Sequence, residues 1–182
     1  WKKGKVGHLG FADDYAFVIE ALIELHASTL ECHWIDEAVL LMNHVVKHFT
    51  HEASGLFYYT SDLAPALIAR KQEIYDNVIP SSNASLAHSL LTLGLIMDKP
   101  EWQKRSLQML SNVWEDVRRQ GSSHALWADL GLKHAIHNPE CVIIGLAAQQ
   151  AMQGMSSVYL PGVVLSGSYQ PDSKLPNQQH RY

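Results

Sequence analysis

The chain has 182 residues, 47% of them apolar, which is enough to bury a core and excludes global disorder. Its net charge is −4 and no lysine/arginine stripe follows a helical pattern, which argues against sequence-independent nucleic-acid binding and polybasic membrane attachment. No apolar run approaches the roughly 18 residues that span a bilayer, so no membrane partner is expected.

The opening Trp1-Lys2-Lys3-Gly4 has no initiator methionine and no apolar signal segment, and reads as the edge of a piece from a longer protein. With Gly4, Gly7 and Gly10, residues 1–10 read as loop. Phe17, Val18, Ala21, Leu22 and Leu25 then recur at helical spacing, with Asp13 or Asp14 suited to cap the first turn. A second helix is expected over about 34–49, carrying Ala38, Leu41, Met42, Val45, Val46 and Phe49. The connection over about 51–79 is long for a helix pair, and a short strand pair near 56–60 and 68–74 is expected in it.

A third helix starts at Ser81 or Ser82 and runs to about Met97. A fourth, with Pro100 in its first turn and Asp98 as its cap, runs to about Arg119, and a fifth covers about 124–137. Past Asn138-Pro139 the texture changes to two strand-like apolar runs, Cys141 to Gly145 and Val163 to Leu165, around a short helical stretch. The tail over 166–182 is polar, lacks core periodicity and reads as a frayed end or an interrupted connection. The expected division is a helical-hairpin segment over 1–140 and a small strand-containing element with its tail over 141–182. Cys32 and Cys141 form no C-x-x-C pair, so zinc-ribbon and thioredoxin-type motifs are absent. Two buried thiols in a reducing, cytoplasmic compartment are expected.

A shift of 68 residues lays the first helix pair on the second without a gap. Ala16 meets Ala84, Leu22 meets Leu90, Leu25 meets Leu93, Trp34 meets Trp102 and Val45 meets Val113. Such a repeat is the signature of stacked helical hairpins. The expected fold is therefore mainly α, part of an (α/α)6-type toroid of hairpins with first helices inside and second helices outside. A small β or α/β element would follow near the C-terminus.

In a toroid all inner helices begin at one end, so the register sets Asp13-Asp14-Tyr15 over Ser81-Ser82-Asn83, with Ser122-Ser123-His124 opening the fifth helix. One polar residue would suffice as a cap, and each start offers three. The dipole-positive helix starts suit hydroxyls or anions. Asp13, Asp14, Tyr15, Ser81, Ser82 and Asn83, with Tyr59 as a stacking ring, are the expected substrate-binding residues. The loop before Pro80 delivers Glu73 and Asp76 to the same rim as acid and base candidates, and His88 is the third expected catalytic residue. His26 reads as structural. The eleven histidines include His44, His48 and His51 at helical spacing, but no H-E-x-x-H and no carboxylate at ligand spacing, so neither metal nor cofactor is expected. A nucleophile elbow and a phosphate-binding glycine loop are also missing.

Asp13-Asp14-Tyr15-Ala16-Phe17, and Glu73-Ile74-Tyr75-Asp76 followed by Pro80-Ser81-Ser82-Asn83, resemble a family that fuses an N-terminal thioredoxin-like domain to an (α/α) toroid. That toroid is similar to N-acylglucosamine 2-epimerases, and the animal members are called spermatogenesis-associated thioredoxin-like proteins. The family pattern reads approximately K-E-x-Y-D-G-A-x-P-S-G-N-S; here Asn77 and Val78 replace Gly-Ala, and Ser82 replaces Gly before Asn83. The resemblance implies a carbohydrate-like small molecule as ligand, with isomerase- or hydrolase-like chemistry, and a thioredoxin-like domain of the same protein as partner. The alternative expectation is a non-catalytic recognition or scaffold domain for that module. An incomplete ring would also expose apolar edges, so a homo-oligomer is expected.

Overall fold

Apolar residues three and four apart build two helical hairpins in this computed structural model, which describes residues 4, 9–65, 68–136, 139–170 and 175–179. The first hairpin joins α1 (Ala12–Thr29) to α2 (His33–His48), and the second joins α3 (Ser82–Ile96) to α4 (Pro100–Arg119). The first helices α1 and α3 pack side by side, with α2 against α1 and α4 against α3. Helix α5 (Ala125–Ala135) follows a 3-10 turn at Gly121–Ser123 and packs on α3 and α4. Most of α3 is buried on all sides, because α1, α4, α5 and the C-terminal element surround it.

The 68-residue register extends to the backbone. Leu30 (φ 62°) and Asp98 (φ 49°) are the non-glycine residues with positive φ among the described residues, and they are register equivalents. Each sits just past the first helix of its hairpin, where a left-handed residue turns the chain. Asp98 thus closes α3 instead of capping α4, whose N-cap is Lys99 without a side-chain bond. Likewise the N-cap of α1 is Phe11, and Asp14 reaches back to accept from the Phe11 N–H at 2.8 Å.

Hairpin closure depends on small residues at the crossings. A Cβ on Gly94 would stand 2.8 Å from Gln103 Cγ and 3.2 Å from both Gln103 N and Lys99 O. Gly94→Ala should therefore lower stability by about 1 kcal/mol, as overpacking outweighs the gain in helix propensity. Denaturant unfolding checks this, and a stabilised variant would show that the α3–α4 crossing has room.

The C-terminal element is a βαβ unit. Strand β1 (Glu140–Ile144) pairs in parallel with β2 (Val164–Ser168), with α6 (Ala148–Ser156) as the crossover. It packs on α1, where Leu30, Ala148 and Met152 form a small second core. The expected frayed tail is corrected in its described part. Strand β2 runs to Ser168, and α7 (Pro176–Gln179) buries Leu175, Asn177 and Gln178. Gln178 Nε2 donates to Ser166 Oγ at 2.7 Å, and Ser166 Oγ lies 3.3 Å from His26 Nε2, so polar side chains anchor this segment where apolar periodicity is lacking. The expected strand pair in the long connection is also corrected, to two isolated antiparallel bridges, Thr50 with Phe57 and Tyr58 with Gln72. Side chains add to these few backbone bonds in holding the connection. Arg105 donates to Gly55 O and Thr50 Oγ1 from over the Phe57 ring, and burial pushes its pKa down to about 10.

Most of the opening loop, His137 and Pro171 lie outside the described residues. No disulfide joins Cys32 to Cys141; Cys141 Sγ lies 3.5 Å from Met155 Sδ. Among the described residues no helix is long and apolar enough to cross a membrane.

Candidate functional site

The starts of α1 and α3 are tied together by residues 57–59. The Ala12 N–H donates to Tyr59 O at 2.9 Å, while Asn83 Oδ1 accepts from the Phe57 N–H at 2.7 Å. Tyr59 stacks on Phe11 and its hydroxyl donates to Asp13 Oδ2 at 3.0 Å. Burial, that bond and the charges of Asp13, Glu73 and Asp14 push the Tyr59 pKa up to about 12. Tyr59, Asp13, Asp14 and Glu73 therefore share one acidic corner. Tyr15 is stacked on His44 and edge-on to Phe49.

Asp76 joins two helix starts. Its Oδ1 accepts from the Ser81 N–H and its Oδ2 from the Leu126 N–H, both at 2.9 Å. The loop is pinned further by the Asp76 N–H to Ser123 O and by the Trp127 indole N–H to Ile74 O. Ser81 Oγ caps α3 by accepting from the Ala84 N–H. Asn83 is fully buried, and its Nδ2 donates to Phe57 O and Glu73 O at 2.9 Å each. Both side chains thus spend their polar atoms on backbone groups. Asp76→Ala should cost about 2 kcal/mol, the worth of charged caps on two helices. Urea unfolding measures it, and a loss below about 0.5 kcal/mol would contradict the double cap.

A cavity of about 360 Å³ opens further along the same helices, between α1, α3, α5 and residues 162–165. Glu20 and Glu24 come from α1, Ser85, His88, Ser89 and Thr92 from α3, and Asp129 and Lys133 from α5. The 68-residue register pairs Glu20 with His88 and Glu24 with Thr92, so equivalent positions of both hairpins face this space. His88 Nε2 bonds Leu126 O at 2.9 Å, which places the ring proton on that nitrogen. Its Nδ1 then accepts from Lys133 Nζ at 3.3 Å. Burial, with the Lys133 charge beside it, pushes the His88 pKa down to about 4. Burial and the neighbouring Glu24 push the Glu20 carboxyl up. Ser85 Oγ, on a residue 1% exposed, has no hydrogen-bond partner among the described residues.

Of the residues expected at the site, His88 lines the cavity, whereas the acidic corner and the Asp76–Ser81–Asn83 group stand at the helix starts. Ser82 Oγ is buried and without a partner among the described residues. His124, the N-cap of α5, is buried against Tyr75, with its Nδ1 on Gln120 O. The sequence reading missed Glu20, Glu24, Asp129 and Lys133. The register could have found the first two, since Glu20 falls opposite His88. Among the described residues no group of three or more His, Cys, Asp or Glu is placed to hold a metal ion.

No family model matches the chain. Over 111 residues, 60% of this chain, it is 31% identical to spermatogenesis-associated protein 20 of Homo sapiens. The Rattus norvegicus and Mus musculus proteins of that name match over the same length at the same identity. The match supports homology to that protein. The chain covers 14% of the length of these relatives.

Proposed function

We propose that this homologue of spermatogenesis-associated protein 20 is part of an (α/α) toroid domain in a larger thioredoxin-like fusion protein. Its inner helices bind a carbohydrate-like ligand. The observation that carries this reading is the 360 Å³ cavity, walled by register-equivalent positions of both first helices and lined by carboxylates, hydroxyls and an imidazole. Such convergent polar groups in a concave site suit a small polyhydroxylated molecule. Isomerase- or hydrolase-like chemistry there would draw on the cavity carboxylates, because backbone N–H groups occupy both oxygens of Asp76 and both ring nitrogens of His88 are engaged.

The test is ligand-detected NMR of the chain with a monosaccharide panel, comparing wild type with Thr92→Phe, which fills the cavity from a half-buried position of α3. Binding near about 1 mM, lost in the variant while its unfolding midpoint holds, is the expected result. Binding that survives the filled cavity, or no binding of any sugar, would favour the scaffold reading.

A further inference from the structure

The C-terminal element, β1, α6, β2 and α7, joins the helices through two apolar contacts. Leu30 of the first hairpin packs with Ala148 and Met152 as a core separate from the main one, and Leu175, with partly buried Val164, reaches the main core. Residues 162–165 also form one wall of the 360 Å³ cavity, so the cavity is closed on that side by this element. Polar side chains supply the rest of the attachment. His26, Ser166 and Gln178 are all buried and stand in one hydrogen-bonded chain. His26 Nδ1 lies 3.2 Å from Glu31 O, and a carbonyl can only accept, so the ring proton sits on Nδ1. Its Nε2 then accepts from Ser166 Oγ at 3.3 Å, while Ser166 Oγ accepts from Gln178 Nε2 at 2.7 Å. Gln178 Nε2 also donates to Gly167 O at 3.1 Å. One hydroxyl thus links α1, β2 and α7.

Beside this latch the docked element leaves polar atoms unpaired. Both amide atoms of Asn177 and Oε1 of Gln178 are buried without a hydrogen-bond partner among the described residues. On α3, the helix against which β2 and α7 pack, Ser82 Oγ and Ser85 Oγ are in the same condition. Water would satisfy the three α7 atoms as soon as α7 left α3, so their desolvation works against docking. Helices α1 to α4 carry no such load at their mutual contacts, where one continuous apolar core joins them. The element is therefore held by a small apolar contact and a single polar chain, the conditions for opening below the free energy of global unfolding.

We infer that β1, α6, β2 and α7 form a releasable strap over the cavity, latched to α1 through Ser166 and opening while the helical hairpins stay folded. Each opening removes the wall at 162–165 and turns the cavity into a cleft between α1, α3 and α5. Ser166 and Gln178 then govern access to the cavity without touching anything bound in it. The inference goes beyond the carbohydrate reading and stands whatever the cavity holds.

Hydrogen exchange of the chain in low urea, read segment by segment by mass spectrometry, tests this. Amides of β1, α6 and β2 should exchange through an opening at least about tenfold more populated than the one that exposes α1 to α4. A two-stranded sheet has no stability of its own once it leaves the helices, so undocking exposes its amides. Ser166→Ala should raise exchange of the strap about tenfold, the worth of one buried hydrogen bond, and leave α2 and α4 unchanged. Asn177→Leu removes the unpaired amide while keeping its bulk, and should slow exchange of the strap. Strap and hairpin amides exchanging through one common opening in the wild type would overturn the inference. So would a Ser166→Ala variant whose exchange rises equally in α2 and α4, or an Asn177→Leu variant whose strap opens as readily as before or more so.

Discussion

Asn83→Ala is expected to destabilise the protein by about 3–5 kcal/mol, among the largest effects of any single substitution in this chain. The amide is fully buried and makes three bonds, all to backbone: the Phe57 N–H, Phe57 O and Glu73 O. Removing it leaves three interior groups without partners and releases both ends of the long connection from α3. Asn83→Asp is nearly isosteric and should also fail, because a carboxylate would face two carbonyl oxygens. Denaturant midpoints of the three proteins decide the matter. A loss below about 1 kcal/mol for both variants would mean that water replaces these bonds freely. The outcome also bears on function, since a clamp of this strength accounts for Asn83 without a ligand.

Acidification should weaken the fold through His88. Its folded pKa near 4 lies below the ordinary 6.5, so between these values the unfolded chain binds more protons than the native one. His88 therefore adds nothing to the pH dependence above about 6.5 and removes stability progressively as pH falls towards 4. For a side chain 13% exposed, the loss between pH 7 and pH 4 should reach about 2–3 kcal/mol. Burial lowers the pKa of His26 and His134 as well, which adds to the loss with the same sign. His88→Gln isolates the effect, because a glutamine amide can donate to Leu126 O and accept from Lys133 without titrating. Urea unfolding at pH 7 and pH 4.5 should show a clearly smaller acid-induced loss in the variant than in wild type. Equal losses would show that His88 is not held neutral by its surroundings.

The helical hairpins were legible because their signals are local. Apolar spacing sets which face of each helix turns inward, and Ser81, Pro100 and the glycine-serine break at 121–123 mark helix ends close to where they are observed. Matches such as Ala16 with Ala84 and Val45 with Val113 anticipated equivalent buried positions, and those four residues are buried. Leu25 and Leu93 show the limit. They are register partners, yet Leu25 is 39% exposed and Leu93 fully buried, because α3 has neighbours on more sides than α1. The described part of the tail departs from a frayed end for a related reason. Leu175, Asn177 and Gln178 carry no periodic pattern, and their burial depends on Ser166, the α3 face and β1 being nearby.

Polar residues at helix starts were equally visible in the sequence, but their use was not. Asp76 finds Leu126 fifty residues away, Asn83 finds Phe57 twenty-six residues away, and His26 finds Ser166 at a separation of 140. Whether a carboxylate or amide faces a ligand or a backbone N–H depends on such distant partners, which no local pattern encodes. Local pattern was enough to specify repeated helical hairpins followed by a small strand element, because periodicity and turn chemistry act over a few residues. Only packing in three dimensions sets Asp76 and Asn83 to hold the frame while Glu20, Glu24 and His88 line a cavity. Long-range packing chooses which polar atoms are satisfied within the chain and which still face the cavity.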